Sequence, residues 1–195
     1  MGKIISVILA GGQSRRMRAL SSAASVDKAE LKLGGERLID LAIMRISPQC
    51  DEVLISAKHG YGTGLPVITD DVMGPKGPAA GIFAARKWAA ANSPASAGFF
   101  TMPVDTPFFP TDLIQRLGQT NTASIAADDN GLHPTFGHWL LEPLASYWST
   151  HPPAEPVSLR ELAGQCGAKQ VRWSGESDFF NINSPEDLKK AEMER

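Results

Sequence analysis

Apolar and polar positions divide this chain into short β-type runs separated by longer helix-type stretches, in regular alternation. Compact apolar runs predict strands at Ile4 to Leu9, Glu52 to Ala57, Pro66 to Thr69, Gly98 to Met102, Ala123 to Ala127 and Ala168 to Trp173. Between them, apolar positions at helical spacing predict helices over Leu38 to Ser47, Ala79 to Ala91, Pro110 to Leu117, Leu140 to Ser149, Ser158 to Cys166 and Pro185 to Glu194. His133-Pro134-Thr135 opens a further strand that ends in Gly137-His138-Trp139, and Leu31 and Leu33 alternate with charge as in a short hairpin. Ser184 is placed to cap the last helix, with Pro185 at its first position. Alternating strands and helices predict an α/β fold, a mostly parallel sheet with helices on both faces, in which ligands lie beyond the carboxyl ends of the strands.

Length and composition narrow the picture without changing it. At 195 residues the chain reads as a single domain with a core large enough to need no staple. A net charge of −2 with 21% charged residues tells against a nonspecific nucleic-acid binder, so any phosphate recognition must be local. Cys50 and Cys166 match no metal spacing and read as reduced thiols. The first residues form a strand pattern rather than a secretory leader, and no apolar run reaches membrane-spanning length, so the expectation is a cytoplasmic protein with no membrane partner.

The chemistry gathers at strand ends. The first strand breaks into L-A-G-G-Q-S-R-R-M, where Gly11 and Gly12 allow close backbone approach and Arg15 and Arg16 can fork onto phosphate oxygens. This is neither a P-loop, which needs Gly-Lys-Ser/Thr, nor a dinucleotide fingerprint, which needs a third glycine. Lys28, in D-K, could bring an ammonium over a triphosphate, although a lone loop lysine is more often simply solvated. Asp70 and Asp71 end V-I-T-D-D and read equally as ligand-binding carboxylates or turn acids. Gly77 to Gly81 places small residues where a helix begins, which admits a ligand to its N-terminus. Asp105, bracketed by Pro103 and Pro107, is a carboxylate in a stiff turn, suited to magnesium, which takes one or two carboxylates and completes its shell with phosphate oxygens and water. His133 reads first as a satisfied structural histidine, and the four tryptophans as packing residues. Asn181 and Asn183 flank Ile182, so both amides can face one way while the isoleucine packs behind.

Taken together and in this order, L-A-G-G-Q-S-R-R-M, D-K, G-P-A-A-G-I, M-P-V-D-T-P-F-F-P, H-P-T and F-F-N-I-N-S-P-E-D-L resemble the molybdenum cofactor guanylyltransferases, the MobA family, over nearly the whole chain. The resemblance implies one Rossmann-like three-layer domain of the nucleotide-diphospho-sugar transferase type, its N-terminal half binding nucleotide and its C-terminal half the pterin. It implies transfer of GMP from GTP to the phosphate of molybdenum-molybdopterin, with release of pyrophosphate and use of Mg2+. Other molybdenum cofactor biosynthesis proteins would be its partners.

Residue by residue, the resemblance puts Leu9, Ala10, Gly11 and Gly12 in the nucleotide loop, with Arg16 and Lys28 toward the triphosphate. It makes Asp70 a nucleotide-binding carboxylate and Asp105 the metal ligand, with Gly77, Gly81, Asn181 and Asn183 lining the cleft. Two departures stand out: Arg18 follows R-M where the family commonly has glycine, in a longer loop before D-K, and Ser56 stands where the family often has asparagine. L-A-G-G resembles the guanylyl side of the superfamily and L-A-A-G the cytidylyl side. A cytidylyltransferase acting on molybdopterin or a sugar phosphate, and a GTP-binding module without turnover, remain the alternatives.

Overall fold

The computed structural model describes residues 2–11, 13–14, 26–152, 155–175 and 179–193. In chain order its elements are β1 (Ile5–Leu9), β2 (Gln13–Ser14), β3 (Val26–Asp27), β4 (Lys32–Leu33), β5 (Glu36–Arg37), α1 (Leu38–Ile46), β6 (Glu52–Ser56), β7 (Val67–Ile68), α2 (Pro78–Asn92), β8 (Gly98–Pro103), α3 (Leu113–Gly118), β9 (Ser124–Asp128), β10 (Gly131–Leu140), α4 (Leu141–Thr150), α5 (Leu159–Gln165), β11 (Lys169–Arg172) and α6 (Pro185–Met193). Lys28–Glu30 and Ser47–Gln49 add single 3-10 turns. Each predicted strand and helix has a counterpart here, with boundaries that move by a few residues.

Seven strands form one sheet in the order β11-β9-β10-β8-β1-β6-β7. Within it β10 runs antiparallel to both β8 and β9, and all other neighbours are parallel. The mostly parallel α/β sheet expected from the alternation is therefore present. Its antiparallel member follows from a tight connection: β9 and β10 are joined by Asp129 and Asn130, too short a link for the crossover that a parallel pair requires.

Alternation along the strands sends side chains into two cores. From β1, Ile5 and Val7 enter one with Leu54, Ile82, Phe99, Trp139, Leu144 and Leu162, while Ile8 enters the other with Leu38, Ile39, Ile55, Met102, Phe109, Leu113 and Phe136. Helices α1 and α3 thus cover one face and α2, α4 and α5 the other, which buries the sheet on both sides and explains its nearly unbroken apolar strands.

From β1 the chain moves outward through α1 to β6 and β7, then returns through α2 to β8 on the other side of β1. The strand order reverses between β1 and β8, and such a reversal opens a crevice at the carboxyl ends of the two strands. Val104 N–H donates to the Leu9 carbonyl at 3.1 Å across that boundary, so the two segments singled out in the sequence leave the sheet side by side. No helix among the described residues is long and apolar enough to cross a membrane.

Candidate functional site

The crevice is lined first by the end of β1. Leu9 and Ala10 carry the chain out of the sheet, and Ala10 N–H donates to the Ser56 carbonyl at 2.9 Å. The backbone donors this turn can offer a ligand therefore begin no earlier than Gly11, which is exposed at the strand end. Gly12 and Arg16, assigned to the nucleotide loop by resemblance, lie outside the described residues, as do Arg15 and Arg18. Ser56 closes β6 with its side chain buried. Its hydroxyl faces Gly81 so closely that a β-carbon there would stand 2.8 Å from Ser56 Oγ and 2.8 Å from Leu9 Cδ2. Gly81 thus lets α2 pack hard against the ends of β1 and β6, which is a packing role first.

Helix α2 points its N-terminus at the same edge of the sheet. Gly77 precedes it with φ 73° and ψ −154°, a conformation open essentially to glycine alone, and Pro78 occupies the first helical position. No acidic side chain sits in its first turn, so the positive end of the helix dipole is left uncompensated by its own residues.

The two neighbouring carboxylates after β7 separate into different roles. Asp71 is a turn acid: Oδ1 accepts from Met73 N–H at 3.0 Å and Oδ2 meets Lys87 Nζ at 2.5 Å. That lysine, followed by the Met73 N–H, holds the Asp71 carboxyl below its ordinary range. Asp70 keeps an exposed side chain, yet desolvation by the protein around the strand end raises its carboxyl above the ordinary range, against the pull of Lys76 and Lys58. Sequence reading passed over those two lysines, which had only their charge to mark them in a polar loop.

Opposite stands a cluster of polar side chains. Lys28 Nζ donates to Asp105 Oδ2 at 2.7 Å and also to Asn183 Oδ1, and the lysine and aspartate side chains are 14% and 21% exposed. Ile182 N–H donates to the Asp105 carbonyl at 2.8 Å, while Thr106 Oγ1 donates to Asn181 Oδ1. Ile182 itself is fully buried. The expected arrangement of two amides facing one way over a buried isoleucine is therefore seen, in an extended segment laid along the Asp105 turn rather than in a strand of the sheet. Ser184 Oγ accepts from Asp187 N–H at 3.1 Å, and Asp187 Oδ2 accepts from Ser184 N–H at 2.8 Å and Asn183 N–H at 2.9 Å. This reciprocal cap at the start of α6 fixes the backbone that presents Asn183. Thr106 was missed in the sequence; its one local signal was adjacency to Asp105.

Lys28 is positioned from behind by Asp27, whose Oδ1 accepts from Ala29 N–H at 3.0 Å and caps the 3-10 turn. Asp27 Oδ2 accepts from the Tyr61 hydroxyl at 3.1 Å. Burial, then the Asp27 charge, pushes the Tyr61 phenol well above its usual range, so it remains a donor. Histidine 133 takes the structural role: its Nε2 lies 2.8 Å from Asp128 Oδ1 and its ring stacks on Phe179 at 4.7 Å. Burial works against the Asp128 charge, but the interaction with His133 and the Asn130 hydrogen bonds outweigh it and hold that carboxyl below the ordinary range.

A divalent cation fits the chemistry of this cluster. Asp105 supplies one carboxylate in a stiff turn with the Asn183 amide oxygen directed to the same point, and magnesium-type sites take few protein oxygens and complete the shell with phosphate and water. Among the described residues no group of three or more His, Cys, Asp and Glu comes together.

Known proteins are similar to this chain in sequence or in fold. A protein from Cereibacter sphaeroides named molybdenum cofactor guanylyltransferase is 37% identical over 199 residues, spanning 97% of this chain and 96% of its own. The solved structure of molybdopterin-guanine dinucleotide biosynthesis protein A from Archaeoglobus fulgidus superposes with a TM-score of 0.72 at 20% identity, covering 97% of both chains. A Mycobacterium tuberculosis protein solved as a complex with manganese superposes at 0.68 and 12% identity, covering 99% of this chain and all of that one. The MobA-like NTP transferase domain model matches residues 6–170, from the second residue of β1 into β11, and therefore takes in the crevice between β1 and β8; the chain belongs to that family.

Proposed function

We propose that this protein transfers GMP from GTP to the terminal phosphate of molybdopterin cofactor, producing molybdopterin guanine dinucleotide and pyrophosphate. The observation that carries the reading is the meeting of Lys28, Asp105 and Asn183 beside the end of β1, at the point where the strand order reverses. Support for the guanylyl assignment comes from the curated relative's name and from L-A-G-G at that strand end.

The reaction asks little covalent chemistry of the protein. An oxygen of the acceptor phosphate attacks the α-phosphorus of GTP in line, the bond from that phosphorus to the bridging oxygen breaks, and pyrophosphate leaves. Gly11 lets the backbone approach the nucleotide, the N-terminal end of α2 favours negative charge, and the Lys28 ammonium offsets charge as it develops on the phosphate oxygens. Arg16 would join it there, and Asp70 would accept from the nucleoside. Asp105 would hold Mg2+, with Asn183 beside it, and the cation, when bound, neutralises the triphosphate and the departing pyrophosphate. The relative solved with manganese supports a divalent metal for this fold. The second half of the chain would take the pterin, and proteins that deliver it would be its partners.

The test is release of pyrophosphate from GTP, Mg2+ and molybdopterin. Asp105→Ala should abolish release while leaving the circular dichroism spectrum in place and the unfolding transition cooperative, though lowered by the loss of the Lys28 counter-ion. Undiminished turnover in that variant overturns the metal assignment, faster turnover with CTP moves the assignment to cytidylyl transfer, and GTP binding with no product from any nucleotide leaves a binding module.

A further inference from the structure

Tyr61 combines a backbone that resists it with a side chain that reaches the site. Among the described residues it is the non-glycine residue with a left-handed backbone, φ 53°, and it stands between Gly60 and Gly62. Glycine would avoid the steric strain a β-carbon meets there, so the side chain must contribute something that glycine cannot. Its ring is buried beside His59, 4.3 Å between centroids, and its hydroxyl lies 3.1 Å from Asp27 Oδ2 and 3.5 Å from the Ala10 carbonyl. The nearer acceptor is the carboxylate, so the single proton points at Asp27. From the other side Arg37 Nη1 donates to the Tyr61 carbonyl at 2.8 Å, while the same guanidinium forks onto Asp40 at 2.6 and 2.9 Å. The strained residue is thus held by Arg37 at the end of β5, itself anchored on Asp40 of α1.

We propose that Tyr61 is a positioning residue for Lys28. It fixes Asp27, whose other oxygen caps the turn that starts at Lys28, and so sets where the ammonium stands relative to Asp105. The hydroxyl oxygen also lies 3.5 Å from the Ala10 carbonyl, so the Tyr61–Asp27 pair stands beside the end of β1. Misplacing a charged group by an ångström at a site that works by positioning is enough to slow it substantially.

The proposal rests on the nucleotidyl-transfer reading, and its test separates the two. Tyr61→Phe, which keeps the ring and removes the hydroxyl, should lower kcat for pyrophosphate release about tenfold while KM for GTP changes less than about twofold. In a Lys28→Met background the same change should do nothing further to kcat, because the group it positions is gone. Asp27→Ala should reproduce the loss and be non-additive with Tyr61→Phe. An unchanged kcat, or an equal factor lost in both backgrounds, overturns the proposal. A wild-type protein that releases no pyrophosphate overturns the transfer reading instead, and positioning is then read directly. Acetylation of Lys28, followed by mass spectrometry, should run faster in Tyr61→Phe than in wild type, and equal rates overturn the proposal.

Discussion

The Lys28 ammonium stands 2.7 Å from Oδ2 of Asp105, so the cation proposed for the triphosphate and the carboxylate proposed for the metal are each other's counter-ion. Residues 77 positions apart meet at this point, Asp105 in the turn that follows β8 and Lys28 at the start of the 3-10 turn that follows β3.

A metal that binds Asp105 must compete with that ammonium. Lys28→Met should therefore bind Mn2+ about tenfold more tightly than wild type without nucleotide, by isothermal titration, since an ammonium this close disfavours a second cation by at least that factor in a partly desolvated site. The variant should also be less stable by about 1–3 kcal/mol, because it leaves a mostly buried carboxylate uncompensated, and Mn2+ should restore much of the loss. Unaltered Mn2+ affinity in Lys28→Met would show that the ion pair does not guard the carboxylate.

Gly77 and Gly81 bracket the start of α2 for different physical reasons, and alanine separates them. At Gly77 a β-carbon would meet nothing within 4 Å, but φ 73° with ψ −154° strains any other residue. Gly77→Ala should cost about 1–3 kcal/mol, roughly 3–10 °C in melting temperature for a domain of this size. At Gly81 the backbone is helical and the obstacles are Leu9 Cδ2 and Ser56 Oγ, each 2.8 Å away. Crowding of about 1–3 kcal/mol is there offset by about 1 kcal/mol of helix propensity. Its melting point should fall less than that of Gly77→Ala. Its KM for GTP should rise, since Leu9 is pushed toward the crevice. Scanning calorimetry and GTP kinetics check both, and a Gly81→Ala enzyme with wild-type KM would show that Leu9 moves elsewhere.

The layered fold was legible because β1, β6, β8 and β9 are buried on both faces, which leaves apolar runs that a partly exposed strand would not show. The parallel course of most strands was legible from the helices between them, but the reversed direction of β10 was not, since a period of two residues is the same in either sense; it follows from the short connection to β9. In the site, Asp105, Lys28 and the two asparagines were found by residue type at strand ends and loops. Tyr61 was not. Its partners lie 34 and 51 residues away, and a tyrosine between two glycines carries no local sign of a left-handed backbone. Asp70 and Asp71 were inseparable by residue type and position, and only the resemblance singled out Asp70, because what divides them physically is Lys87 on the third turn of a helix still to come.

His138 supplies a pH dependence whose sign can be worked out. It lies on β10 with its ring stacked on Phe100 at 4.4 Å, Nδ1 is buried without a hydrogen-bond partner, and burial lowers its pKa from the ordinary 6.5. The unfolded chain therefore takes up this proton more readily than the folded one. Its contribution to stability is fully present above pH 6.5 and falls as the pH drops below that value, levelling off beneath the folded pKa. The slope from one group cannot exceed about 1.4 kcal/mol per pH unit. In urea titrations between about pH 7.5 and 5, wild type should lose stability on the acid side. His138→Gln, which keeps a neutral polar side chain that does not titrate, should lose less over the same interval even if it starts lower from the missing ring stack. Parallel curves for the two proteins would mean that His138 is as readily protonated in the fold as in the open chain, and that the cost of charging it beside Phe100 is met by a neighbour.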